Sequence, residues 1–123
     1  MINIDQGPNC DFICVKYNGT ITKQDLLLHM RRITDITYGQ KNVKILEDAR
    51  EGNVTSDFTD IDMIIDYFKS YSRNRDLFAV ATLTNSPTET ALYTLLQESL
   101  DWPNYHFKVF AEKENAISWL NSL

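Results

Sequence analysis

With 123 residues, 43% hydrophobic and 24% charged, and only four glycines and three prolines, the chain is sized for one compact domain over residues 1–123, which excludes disorder and a second domain. Twelve Lys and Arg against seventeen Asp and Glu leave a net charge of −5, the wrong sign for a phosphate-covered partner, so nucleic acid is excluded as a ligand. The longest uncharged apolar runs stop well short of the ~20 residues of a membrane span, and the N-terminus lacks a signal-peptide layout. A soluble, cytoplasmic protein is therefore expected rather than an integral membrane one.

Met1 to Asp5 alternates Ile2 and Ile4 and reads as a first strand. Gly7-Pro8-Asn9 separates it from a β-branched and aromatic run over 11–17 that stops at the turn signal Asn18-Gly19, so the two can pair as an antiparallel hairpin. Thr22 with Asp25 resembles a capping box, and Leu26, Met30, Ile33 and Ile36 recur at helical spacing, which predicts a helix over 23–37. Val43 to Glu47 is a short apolar strand ending near Asp48, and Ala49 to Thr55, with Gly52 and Asn53, reads as a loop.

Phe58, Ile61, Ile65 and Phe68 then predict a second helix over 57–72. Asp57 and Asp60 in its opening turn, and Lys69, Arg73 and Arg75 at or beyond its end, match the sign of the helix dipole. Leu77 to Leu83 is apolar on both faces, as in a central strand. Ser86-Pro87-Thr88-Glu89 is a helix start, with Ser as N-cap and Pro at the first helical position. Ala91, Leu92, Leu95 and Leu96 give that third helix its apolar face, and Trp102-Pro103-Asn104 ends it. Tyr105 to Phe110 is a last strand, and Ala116, Leu120 and Leu123 mark a final helix. The order β-β-α-β-α-β-α-β-α predicts an α/β fold: a single, mostly parallel five-stranded sheet with one antiparallel edge strand and four helices on its two faces.

That order, with four local patterns, resembles the SpoIIAA-like branch of the STAS superfamily, also grouped as STAS/SEC14-like domains. The patterns are Val15 to Thr22 entering helix one, Ile45 to Arg50, the central strand Leu77 to Leu83, and Phe107 to Leu120 with its closing Ala116-Ile117-Ser118-Trp119-Leu120. Each is core geometry, so function follows from the resemblance only by analogy. The resemblance implies a partner-switching module. In the antagonists of this superfamily a kinase modifies a serine in an Asp-Ser-Ser/Thr-Gly-like turn at the start of the second helix. The corresponding slot here is near Thr55, Ser56 and Thr59, but it has no Gly and its acid, Asp57, follows the serine. A phosphate suits a helix N-terminus, whereas Asp57 and Asp60 oppose it, and a plain N-cap at Ser56 is the competing reading.

Enzymatic signatures are absent: no nucleophile elbow, phosphate loop, dinucleotide fingerprint or H-E-x-x-H pair occurs. His29 and His106 read as surface or boundary residues, and no catalytic residue, metal ligand or cofactor is assigned. Cys10 and Cys14 are too few for a disulfide scaffold or a closed zinc site. Their even spacing suits small apolar filling on one strand face, with Lys16 the only nearby cation to activate a thiol. Asp48 and Arg50 leave the carboxyl end of a parallel strand, where open α/β sheets bind ligands, and Asn85 and Ser86 from the neighbouring strand end can add donors to an anion contact. The alternative is that Asp48 and Arg50 simply pair with each other. Phe58, Tyr67, Phe68, Tyr71 and Tyr93 exceed what one buried face needs and form a candidate apolar groove or partner surface.

The leading expectation is a non-enzymatic STAS-like binding or regulatory module engaging a protein partner or a second copy of itself as a homodimer. The alternative is a carrier or sensor of a lipophilic small molecule in a cleft between helix two and the sheet, with the Gly52-Asn53 loop as hinge. A small enzyme using Asp48, Arg50 or His106 is a third reading.

Overall fold

Hydrophobic alternation and run length place the strands, and the order in which they pair decides everything above them. The structure, a computed structural model, describes residues 1–5, 12–55, 61–72, 74–100 and 102–123. The elements are β1 (Ile2–Asp5), β2 (Ile13–Ile21), α1 (Lys23–Ile36), β3 (Asn42–Val54), α2 (Ile61–Ser72), β4 (Leu77–Leu83), α3 (Pro87–Ser99), β5 (Tyr105–Phe110) and α4 (Lys113–Asn121). They form one five-stranded sheet in the order β1-β2-β3-β4-β5. β1 runs antiparallel to β2 at the edge, with Ile2 opposite Tyr17, and every other pair is parallel.

Spatial order equal to chain order has a consequence. Right-handed crossovers that all step in one direction must all pass over the same face. Accordingly α1, α2 and α3 share a core with Val15, Ile45, Phe78, Val80 and Phe107, whereas the opposite face, Leu46, Ala79, Ala81 and Leu83, is left to Ala116 and Leu120 of α4. Both faces carry helices, as expected, but in a three-to-one division. The fully buried methyls Ala79 and Ala81 keep that second face low enough for a short helix to approach closely.

Local signals fix the helix ends. Thr22 Oγ1 accepts from the Asp25 amide at 3.2 Å and Asp25 Oδ2 accepts from the Thr22 amide at 2.9 Å, a complete capping box. Ser86 caps α3 with Pro87 in its first turn, but Glu89 does not reach back to complete a box. It turns instead across the fold to the Val54 amide at 2.7 Å. Arg75 also departs from expectation: it serves the C-terminus of α1 rather than α2, donating to the Thr37 carbonyl at 3.2 Å and the Thr37 hydroxyl at 2.9 Å. The buried face of α3 is Leu92, Tyr93, Leu96 and the C-cap Leu100, while Ala91 is exposed and Leu95 is 39% exposed.

The expected loop over 49–55 is strand as far as Val54. β2 likewise continues past Asn18-Gly19, and the two turn-like segments pair with each other, Gly19 opposite Gly52 and Thr20 opposite Asn53. The register slips between Lys16 and Asn18, where β3 bulges by one residue. Gly52 is therefore a packing glycine rather than a hinge: a Cβ there would lie 2.7 Å from Tyr17 Cβ. A Gly52→Ala substitution is expected to destabilise the fold by about 2 kcal/mol, read as a lower urea midpoint with an unchanged slope.

Candidate functional site

Strand parity sends Val43, Ile45 and Glu47 of β3 to the face covered by three helices, so a carboxylate stands in an otherwise apolar row. Register places Glu47 opposite Val15 of β2 and Thr82 of β4. Its side chain is 12% exposed, and burial of that kind requires donors. They come from three elements: His29 Nε2 of α1 lies 3.2 Å from Oε1, while the Thr82 hydroxyl at 3.2 Å and the Tyr17 hydroxyl at 3.4 Å donate to Oε2. Tyr17 also presents an edge-on ring contact to His29, with centroids 5.9 Å apart. A proton on Nε2 is the arrangement that donates to Glu47, and it leaves the buried His29 Nδ1 without a protein partner.

This cluster borders a cavity between the sheet and the three helices, with about 40 Å³ open to the centre of a water molecule, room for about three waters. Ile45, Phe78 and Phe107 form its floor, Met30 and Ile33 one side, Leu92 and Leu96 another, and Ile64 and Phe68 of α2 its roof. Tyr93 lines it as well and is 7% exposed, with a buried hydroxyl that has no hydrogen-bond partner. Such an orphan costs about 1–3 kcal/mol. Burial, then the Glu47 and Glu89 carboxylates, push the Tyr93 hydroxyl far above the ordinary tyrosine range, so it stays protonated and able to donate. Glu89, itself buried, accepts from the Val54 amide and from the Thr84 hydroxyl at 3.4 Å.

The residues singled out from sequence are dispersed. Phe68 and Tyr93 meet at the cavity, whereas Tyr67, half-buried against the core, borders a separate groove with Met63, Asp66 and Ser70. Ser56, Phe58 and Thr59 lie outside the described residues, as does the side chain of Tyr71. The Thr55 hydroxyl donates to the Ile21 carbonyl at 3.1 Å. Asp48 and Arg50 pair with each other in a fork, Nε to Oδ1 at 2.9 Å and Nη2 to Oδ2 at 2.8 Å. Asn85 is exposed, and the Ser86 hydroxyl is spent on the Glu89 amide at 3.4 Å. His106 pairs with Ala79, and Asp48 with Leu83. That separation is about 13 Å along the strands and about 10 Å across them, so Asp48 and His106 share no site.

Two cysteine and histidine readings are corrected. Cys14 is disulfide-bonded rather than a free apolar filler, and Cys10 lies outside the described residues. His29 is buried at 5% exposure rather than a surface residue. Its spacing carried the signal, since it is +3 from Leu26 and −4 from Ile33 on the apolar stripe. Among the described residues no three His, Cys, Asp or Glu side chains group as a metal site, and no helix is long and apolar enough to cross a membrane.

An antiparallel edge strand, three crossovers over one face and a closing helix on the other define an α/β domain of the STAS type. A family model described as SpoIIAA-like matches residues 12–121, and the chain belongs to that family. Among solved structures it is similar to an uncharacterised protein with a SpoIIAA-like fold from Shewanella loihica PV-4, at 17% identity over 98% of this chain and 92% of that one, with a TM-score of 0.65. It is also similar to the anti-sigma factor antagonist SpoIIAA in its unphosphorylated form, at 10% identity over 100% of both chains, with a TM-score of 0.61. These likenesses show the fold. No curated protein sequence matches it significantly.

Two measurements test the electrostatics. Replacing Glu47 by Ala leaves three donors facing a void, and is expected to cost about 3 kcal/mol in urea unfolding. Around Asp48, the hydrogen bond from Arg50 holds the carboxyl below the usual carboxylate range. Because the folded pKa lies below the unfolded one, the pair's contribution is complete above about pH 4 and is lost as pH falls through the lower folded value. Both side chains are partly exposed, so Asp48→Asn should cost less than about 1 kcal/mol at pH 7, and the difference from the parent chain should shrink progressively as pH falls below about 4.

Proposed function

We propose that this chain is a non-enzymatic regulatory module that acts by binding a protein partner through the outer side of α2. The observation that supports this reading is the width of that helix's apolar arc. Met63, Ile64, Ile65, Tyr67 and Phe68 cover roughly 200° of its circumference at 100° per residue, about twice the stripe a surface helix needs. Of its side chains described, only Ile64 is buried. Ile64 and Phe68 roof the cavity, which leaves Met63 and Tyr67 flanking an open groove with Asp66 and Ser70. An apolar surface of this kind, rimmed by polar groups, is what an interface presents before its partner arrives. The fold shared with an anti-sigma factor antagonist agrees with partner binding. The separation of Asp48 from His106, and the closure of Arg50 onto Asp48, argue against assembled catalysis.

A second reading is favoured by a separate observation. The mainly apolar cavity beneath α2 suits a small lipophilic molecule, sensed or carried. The partner reading is tested by placing the photoreactive residue p-benzoylphenylalanine at position 67 and irradiating cells of the source organism, with the same residue at exposed position 112 as control. Protein adducts are expected at position 67 and not at 112, one at twice the chain mass identifying self-association. Equal labelling at both positions, or none, removes the partner surface from α2.

A further inference from the structure

The cavity wall contains more polar capacity than the fold uses. Two residues that line it, His29 and Tyr93, each carry a buried polar atom with no protein partner, the ring Nδ1 and the hydroxyl. We infer that the cavity is a binding site for a compact, uncharged molecule, apolar over most of its surface, whose single hydroxyl or carbonyl oxygen hydrogen-bonds the Tyr93 hydroxyl. This deepens, and rests on, the small-molecule reading given above.

Three observations set the ligand's chemistry. The first is the lining, which is aliphatic and aromatic apart from the polar groups of Tyr17, His29, Glu47 and Tyr93. One oxygen on an otherwise apolar body fits that division.

The second is charge. Tyr93 lies within the electrostatic reach of both Glu47 and Glu89. A carboxylate or phosphate entering beside them meets like charge in a place with little water, which excludes fatty acids and phosphorylated lipids. An ammonium group gains little in exchange for its lost hydration, because Glu47 is already engaged by His29, Tyr17 and Thr82.

The third is size. Space for about three waters, near 40 Å³ in water-centre volume, exceeds one solvent molecule and cannot take an extended acyl chain. The wall that yields is α2, whose described side chains other than Ile64 are all partly or fully exposed, so a single ring is accommodated by a small outward shift of that helix. A lone water bridging Tyr93 is the competing occupant, and it has no use for the apolar remainder of the cavity.

Phenol, benzene and benzoate separate these cases, titrated into the full chain and followed by amide NMR at Ile64, Phe68 and Leu96. The expected result is that phenol binds about tenfold more tightly than benzene and that benzoate does not bind. A Tyr93→Phe substitution removes one oxygen without changing shape, so it should keep benzene affinity and erase the phenol preference. Equal affinity of phenol and benzene, a phenol preference that survives Tyr93→Phe, or benzoate binding like phenol overturns the assigned recognition while leaving the cavity reading in place. A water that stays beside Tyr93 at saturating phenol overturns it in the same way. If neither phenol nor benzene shifts any amide, the small-molecule reading falls as well. Should Tyr93→Phe fold poorly, the ratio measured on the unsubstituted chain decides alone.

Discussion

One topological constraint governs this molecule: five strands in chain order, joined after the first hairpin by crossovers of one hand. The constraint delivers α1, α2 and α3 to a single face, and three helices cannot all sink equally into a twisted sheet of this width. α1 buries His29, Met30 and Ile33, and α3 buries Glu89, Leu92, Tyr93 and Leu96. α2 buries Ile64 alone among its side chains described. The cavity follows from that unevenness. It is the space left between α2 and the sheet, and the side chains below it, Phe78, Val80 and Phe107, are too rigid to swell into the gap.

The carboxylate in this face has a structural logic of its own. Glu47 touches groups from β2, β4 and α1, so it fixes the register of three elements that apolar packing alone would let slide. Its donors arrive at longer than ideal distance, 3.2 to 3.4 Å, which marks it as a network that holds geometry more than one that adds much stability. Glu89 performs a matching task at the other end of β3, where a residue placed to cap its own helix instead ties α3 to Val54.

How much of this was legible depended on which signal was local. The capping box at Thr22, the Ser86-Pro87 helix start and the doubly apolar β4 were readable because each is settled within a few residues. β3 was cut short because Gly52 and Asn53 are turn residues by local preference. Tertiary pairing overrode that preference, since Asn18 to Ile21 offered a ladder and Tyr17 needed a neighbour without a Cβ. The polar cluster was missed for a different reason. Each member had a visible periodic clue, Glu47 in phase with Ile45, Thr82 with Val80, Tyr17 with Val15 and His29 with Ile33. A periodic clue reports a face, however, and only the register between strands and the packing of α1 over them show that these residues converge.

The same helix carries both functional readings, and that imposes a relation between them. α2 closes the cavity with Ile64 and Phe68, and it sets the half-buried Met63 and Tyr67 along a separate groove with Asp66 and Ser70. Those two sets lie one residue apart on a rigid helix, so an outward shift that makes room for a ring also moves the surface a partner would grip. Linkage then requires reciprocity: an occupant that lowers partner affinity must itself bind more weakly in the complex, by the same factor. Among its described side chains α2 buries Ile64 and packs Met63, Ile65, Tyr67 and Phe68 only partly against the core, the kind of partial hold from which such responses are drawn, whereas α1 and α3, anchored through His29 and Glu89 to the strands beneath, supply the fixed frame against which it moves.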